Sequence, residues 1–356
     1  MPVLHEFGCH LLTYRYDLQK TIEHSVLLDK LNFDHIRVGD HTLTLNPKVQ
    51  YPNAHTILTA IGVLTKRVRL FPSVTDPYRR HPVEIAQAVA TLDVITGGRT
   101  ALGIGGGEMM NLTPFGIEWV KPYTRLRESI QMIKLLWSAS PENRASYRGE
   151  IFALKGVYLQ IRPVQKPRPP IYIGAVGPRT RALVGEIADG WIPVIESPET
   201  LKVHLKDVLA SAARCGRSVE EIEVDVSLYT DVSEDYEAAY RCVEATAKSG
   251  LIQERDVLRL IGCDLRVPDE LSVQRLRADD PSKMEELGRL ATLIPRRIVE
   301  EVTAFGTPDQ CIGRIEEFLR AGATSITICD LGPEKDRTYE VYAEKIVPYL
   351  KEQYAT

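Results

Sequence analysis

Three short stretches of this sequence place titratable groups or bare backbone where a strand gives way to a loop. LGIGGGEMMN, residues 102–111, runs an apolar strand into Gly105, Gly106 and Gly107 and then reaches Glu108 and Met109. Glycines after a strand let a ligand approach the main chain and leave N–H groups free for an anion. A carboxylate at the end of such a loop is a candidate acid or base. The same letters also fit a plain loop. The GxGxxG spacing is not met, and no early βαβ unit with a following acidic residue supports a dinucleotide fold. IYIGAVGPR, residues 171–179, is a second junction: Gly174 and Gly177 flank Ala175 and Val176, and Pro178 opens a helix. The free N–H groups and dipole of a helix N-terminus suit a phosphate; a tight strand-to-helix turn is the alternative. VGDH, residues 38–41, ends a strand in Asp40 and His41. Adjacent side chains on a strand point to opposite sides, so the pair does not serve one purpose. Free histidine has a pKa near neutrality, so His41 is the candidate proton donor, against a core or capping histidine. No His/Cys/Asp/Glu cluster has metal-ligand spacing, so no metal is expected.

Something must bring these stretches together. Short apolar runs flanked by Gly, Pro or Asp read as strands at 4–12, 35–40, 68–75, 100–106, 171–176, 190–195, 223–231 and 325–330. Strands buried on both faces read this way, and eight of them close a parallel barrel. Helices are expected between them at 17–31, 82–96, 122–138, 178–188, 198–215, 234–249, 308–321 and 337–353. Pro82 with Gly97–Gly98, and Thr307–Pro308, are start and stop signals. Residues 139–170 read as a hairpin. Residues 250–305, with helical pieces near 254–261 and 282–303, read as a second insertion rather than a second domain. The expectation is one (β/α)8 TIM-barrel domain over 1–356. In such a barrel the strand C-terminal ends carry the site. That rule adds Cys9 and His10 from the first strand and Ser73, Val74, Thr75 and Asp76 from the third.

The bulk numbers agree. In 356 residues, 44% are hydrophobic and 26% charged, enough for a core without disulfides. A net charge of −4 with scattered Lys and Arg argues against a nucleic-acid partner. No run reaches the ~20 apolar residues that span a bilayer, and the N-terminus does not read as a signal peptide. Six dispersed cysteines without a CxxC pair read as reduced thiols. The expected setting is cytoplasmic, with a small-molecule substrate and a homodimer. The helix at 82–96, with Ile85, Val89 and Leu92 beside Ala86, Ala88 and Ala90, is a candidate interface.

LNFDHIRVGDH, SVTDPYRRHPVEIAQAVATLDVITGGR, ALGIGGGE, IYIGAVGP, IADGWIPV and FGTPDQCIGRI together resemble the luciferase-like superfamily, and within it the branch that uses the deazaflavin coenzyme F420. FGIEWVKPYTRLRESIQMIKLLW is most similar to the methylenetetrahydromethanopterin reductase and ketoreductase members. The resemblance implies a non-prolyl cis peptide at Ser73–Val74 that supports the deazaflavin ring. It also implies a cofactor loop at Gly105, Gly107, Glu108 and Met109, and a phosphate held by the backbone around Gly174, Ala175, Val176 and Gly177. Asp40 and His41 match the family's Asp-His pair beside the ring, and His41 and Glu108 match its proton-handling groups. Two positions depart from the relatives. Leu45 stands where the dehydrogenases carry Trp, four residues after the histidine. His10 and Glu108 stand where the reductase carries Glu and Asp, which makes His10 a candidate substrate contact. The implied reaction is hydride transfer between F420 and a carbonyl, alcohol or imine-like carbon. An FMN monooxygenase and a non-catalytic cofactor-binding barrel are the alternatives.

Overall fold

The structure is a computed structural model that describes residues 2–14, 17–45 and 49–354, and the side chains of 13 and 14 are not among them. Eight strands form the barrel: β1 (Glu6–Leu11), β2 (His35–Val38), β3 (Arg69–Pro72), β4 (Leu102–Gly105), β5 (Ile171–Gly174), β6 (Gly190–Ile192), β7 (Glu223–Val232) and β8 (Ser325–Asp330). Parallel ladders join β1 to β2, β2 to β3, β4 to β5 and onward through β8, which pairs back with β1. Between β3 and β4 only the single bridges Leu70–Thr100 and Thr75–Ile104 close the ring. All eight fall on the expected stretches. Most end earlier at their C-termini, because the chain leaves the ladder there to form loops.

The barrel interior is polar as well as apolar. Arg37 reaches Asp225 at 3.0 Å, Thr327 donates to Asp225 at 2.7 Å, and His35 lies 2.6 Å from Thr327, all buried. Buried charges persist only when paired in this way. Outside the ring lie α1 (Leu18–Lys30), α2 (Ala54–Leu64), α3 (Pro82–Thr96), α4 (Pro122–Ser138), α5 (Pro178–Ile187), α6 (Pro198–Arg214), then α7 (Tyr236–Gln253), α8 (Arg255–Leu260), α9 (Pro281–Ala291), α10 (Arg296–Val302) and α11 (Pro308–Ala321). The caps are legible: α3 ends on left-handed Gly97, and α6 and α11 open with capping boxes at Ser197/Thr200 and Thr307/Gln310.

Four elements differ from expectation. Helix α2 was not anticipated. Its buried residues Ala54, Ile57, Leu58, Ile61 and Gly62 keep the helical period, but Val63 and Leu64 on the exposed side blur the polar stripe that would mark it in the sequence. The expected helix 282–303 divides into α9 and α10, with Pro295 capping the second. Its last residue belongs to a short strand, Thr303–Gly306, which pairs with Tyr229–Val232 on the edge of β7 away from β8. The final helix, Lys335–Tyr354, contains a π turn at Tyr342–Ile346 just before Pro348, which has no N–H to give to the preceding turn. The hairpin falls as expected, at Ala145–Arg148 and Ala153–Val157, and the Glu128 carboxylate accepts the N–H groups of 150–152 at its turn.

Helices α7 to α10 pack on a hydrophobic cluster distinct from the barrel core. It includes Ile195, Val243, Leu251, Ile298, Val299 and Phe305, with Leu45 and Tyr229 against it. These helices lie between the end of β7 and α11 in the chain, so they build over the C-terminal mouth. The stripe Ile85, Val89 and Leu92 of α3, with Ala86 and Ala90, is buried on the barrel. Barrel packing therefore accounts for that stripe.

Candidate active site at the barrel mouth

The predicted residues gather where β1 to β5 end, but they divide into groups with different work to do. Asp40, just past β2, is 2% exposed. Thr75 donates to its carboxylate at 2.7 Å, Arg80 at 2.5 and 3.2 Å, Arg79 at 3.3 Å, and the Ala54 N–H at the start of α2 at 3.4 Å. Burial would raise its pKa, but Arg79, Arg80 and Thr75 outweigh burial and hold the carboxyl below its ordinary value. Asp40 is thus spent on the protein. It locks the β2 loop to the β3 loop, where Arg79 also bonds Asp76 at 2.6 Å and Thr42 at 3.0 Å. Arg79 and Arg80 were not singled out in the sequence, although RR directly after SVTDPY was there to be weighed.

His41, also past the end of β2, is more exposed than Asp40. It packs against Tyr51 with ring centroids 4.9 Å apart and the rings tilted by 32°, and keeps 26% of its side chain exposed. Its Nδ1 lies 3.7 Å from Glu108 Oε2 and 2.9 Å from Asn111 Nδ2. Asn111 also donates to Glu108 at 3.3 Å and accepts the Thr42 and Leu43 N–H groups at 2.6 and 3.0 Å. Sequence reasoning missed Asn111; its position three residues after Glu108 in the same loop was the available signal. The loop is held from several sides. Trp119 donates to the Gly106 carbonyl at 3.0 Å, the Tyr78 ring lies beside Gly107, and the Met109 N–H donates to the Gln274 carbonyl at 2.8 Å. That last bond pins the cofactor-loop candidate to the segment between α8 and α9. Gly107 has φ +75°, a left-handed turn that favours glycine.

The Ser73–Val74 peptide is cis. The Val74 side chain then fills the space above two of the predicted glycines: a Cβ on Gly105 would meet it at 2.8 Å and one on Gly174 at 3.1 Å. These glycines make room for Val74, a reason the sequence did not reveal. Gly177 is different. Its φ of −82° and ψ of 158° suit any residue, and a Cβ there would find nothing nearer than Thr180 Oγ1 at 3.9 Å. No side chain caps α5. The Ala175 carbonyl accepts from Trp191 at 2.9 Å, and the Val176 carbonyl accepts from Arg181. In a trans peptide the N–H opposes the C=O, so the N–H groups of Val176 and Gly177 point away from those partners. Bare N–H groups, an open space and a helix N-terminus together fit a phosphate.

His10, at the end of β1, is half-buried. Burial first, then the Arg37 guanidinium, push its pKa down to about 3, so it is a neutral imidazole. Glu254, between α7 and α8, is 6% exposed, and its Oε1 has no hydrogen-bond partner. Burial, then Glu196 and Asp256, raise its pKa well above the ordinary glutamate value, with Glu108 contributing. A separate cleft of about 520 Å³ lies between α1 and the segment after β8. Its charges pair across it, as Lys20 does with Asp336 at 3.3 Å, and it holds none of the site residues. Among the described residues no cluster of three or more His, Cys, Asp or Glu could hold a metal, and no helix is long and apolar enough to cross a membrane.

Comparison with known proteins gives a consistent outcome. The family model for luciferase-like monooxygenase matches residues 1–325. The chain is 29% identical over 341 residues to a 5,10-methylenetetrahydromethanopterin reductase of Archaeoglobus fulgidus, covering 94% of this chain and 96% of the relative. It is 28% identical over 363 residues to an F420-dependent glucose-6-phosphate dehydrogenase of Microbacterium testaceum, covering all of both chains. The solved coenzyme F420-dependent tetrahydromethanopterin reductase of Methanopyrus kandleri superposes with a TM-score of 0.82 at 25% identity, over 98% of this chain and 100% of that one.

Proposed function

This chain belongs to the luciferase-like monooxygenase family, and we propose that within it the protein is an F420-dependent oxidoreductase. It transfers a hydride between the deazaflavin C5 and a small organic substrate: a carbonyl or alcohol, or a methylene-pterin-like carbon. One observation carries this reading. The same barrel mouth holds an uncapped helix N-terminus at Gly177 that fits a phosphate, and a His41–Asn111–Glu108 array that fits the proton accompanying a hydride. The methylenetetrahydromethanopterin reductase and the F420-dependent glucose-6-phosphate dehydrogenase that match along nearly the whole chain support the same cofactor.

When bound, the reduced cofactor supplies a hydride, and its carbon at the ring position that forms a flavin peroxide makes oxygen activation poor. The protein's residues do the rest. Ser73 and Val74 back the ring, and Gly105, Gly107 and Met109 line it. The N–H groups around Ala175, Val176 and Gly177 hold the phosphate, with Gly174 leaving room for Val74. Asp40 keeps the β2 and β3 loops in register behind the ring. His41 and Glu108 handle the proton, and His10 faces the substrate. Holding the reacting carbons in register supplies much of the rate. We place the enzyme in the cytoplasm as a homodimer; its six unpaired cysteines support a reducing compartment. Calorimetric titration is expected to rank F420 well ahead of FMN, NAD and NADP. Tighter FMN binding with oxygen consumption would overturn the proposal in favour of a monooxygenase.

A further inference from the structure

The orientation of one side-chain amide decides which ring nitrogen of His41 carries the proton. Asn111 is 4% exposed and sits in the 3-10 turn Met109–Asn111. One end of its amide receives two backbone donors, the Thr42 N–H at 2.6 Å and the Leu43 N–H at 3.0 Å. That end must be the oxygen, because an NH2 group there would face two hydrogens. The NH2 end is then the one that lies 2.9 Å from His41 Nδ1 and 3.3 Å from Glu108 Oε2. An amide NH2 only donates, so Nδ1 must be the acceptor.

We propose that Asn111 is a positioning residue that holds His41 as the neutral Nε2–H tautomer, so that His41 serves as a hydrogen-bond donor to the substrate while Glu108 carries the proton. This rests on the F420 reading of the site and deepens it. The substrate must present an acceptor atom, a carbonyl oxygen or imine nitrogen, next to the carbon that exchanges hydride. In the reducing direction a hydride forms the new C–H bond, and the π pair of C=O or C=N moves onto the heteroatom. Glu108 as the carboxylic acid supplies that atom's proton and is left as a carboxylate. His41 keeps its own proton and holds the heteroatom through Nε2–H. The reverse direction runs the same transfers backwards, with the Glu108 carboxylate as base. An imidazolium at His41 would set Nδ1–H against the Asn111 NH2, which is why the proton is assigned to Glu108.

The test needs neither cofactor nor substrate. Long-range 1H–15N correlation spectra of histidine-labelled protein at pH 8 report which nitrogen of each ring is protonated, with His41→Asn identifying the resonance. The wild-type protein is expected to show His41 protonated at Nε2 only. Asn111→Asp is nearly isosteric. It still accepts the Thr42 and Leu43 N–H groups but turns an acceptor toward Nδ1, so it is expected to move the proton to Nδ1. A wild-type spectrum showing Nδ1–H, or an Asn111→Asp tautomer identical to wild type, overturns the proposal. The wild-type measurement decides even if the variant fails to fold. An F420 titration of the same sample separates the two claims: the Nε2–H tautomer without F420 binding leaves the lock standing and removes the cofactor reading.

Discussion

Gly177 offers the sharpest test of the cofactor site, because the structure separates folding from binding there. Its backbone lies in the extended region open to every residue, and the nearest atom to an added Cβ is 3.9 Å away. Gly177→Ala loses unfolded-chain entropy, which stabilises by ~0.4–1 kcal/mol. It gives up a favourable N-cap residue, which costs a comparable amount. The net change in stability should stay within about 1 kcal/mol, and Gly177→Val should be little worse. Binding should respond quite differently, because the side chain enters the space assigned to the phosphate. A hydrogen bond to a charged group is worth ~1.5–3 kcal/mol, and losing even one exceeds the ~1.4 kcal/mol that makes a factor of ten. Fluorescence titration with F420 should show at least a tenfold weaker dissociation constant for Gly177→Val and a smaller loss for Gly177→Ala, with unchanged thermal melts. Gly103→Ala is the contrasting control. Its Cβ would lie 2.1 Å from the Pro72 carbonyl oxygen, so the melt itself should fall. Unchanged F420 affinity in a normally folded Gly177→Val would place the phosphate elsewhere and refute the reasoning.

Glu108→Gln keeps size but cannot exchange a proton, so turnover with the bound deazaflavin should drop ~10²-fold or more with little change in cofactor affinity; if His41→Asn abolishes turnover and Glu108→Gln does not, the two roles are reversed. Glu254, whose carboxyl is pushed up by burial, holds a proton in the folded state that the unfolded chain releases. Its contribution to stability is therefore full below the ordinary glutamate pKa and declines as pH rises toward the folded value, at up to ~1.4 kcal/mol per unit. Urea unfolding at pH 5 and pH 8 should show a smaller pH difference for Glu254→Gln than for wild type, and identical differences would mean the carboxyl is not held neutral. Light scattering at micromolar concentration should give twice the 40.0 kDa chain mass. The exposed Val63, Leu64, Val94 and Ile95 at the ends of α2 and α3 are the surface to substitute if it does, and a clean monomer would end the search for an interface.

The sequence alone determined the barrel and the stretches that matter. Most strands are short apolar runs flanked by Gly, Pro or Asp, and strand ends converge in any parallel barrel, so Asp40, His41, Ser73, Glu108 and Gly177 were legible as mouth residues from local pattern. The cis peptide at Ser73–Val74 was legible only through resemblance to a family. What each mouth residue does depended on partners far away in the chain. Asp40 looked like a pocket carboxylate until Arg79 and Arg80, about forty residues on, closed around it. Gly105 and Gly174 read as openings for a ligand, and only the fold showed that Val74 also needs the room they leave. His41 had two possible protonated nitrogens until Asn111, 70 residues later, turned its NH2 toward Nδ1. Helix α2 has Val63 and Leu64 on its exposed side, which blurred its period, and Leu45 looked like a vacant aromatic position until α7–α10 packed against it. Propensity and periodicity are properties of neighbours in the chain, and they specify elements. Donor, acceptor and excluded volume are properties of neighbours in space, and only the curvature of the closed sheet decides which strand ends become neighbours.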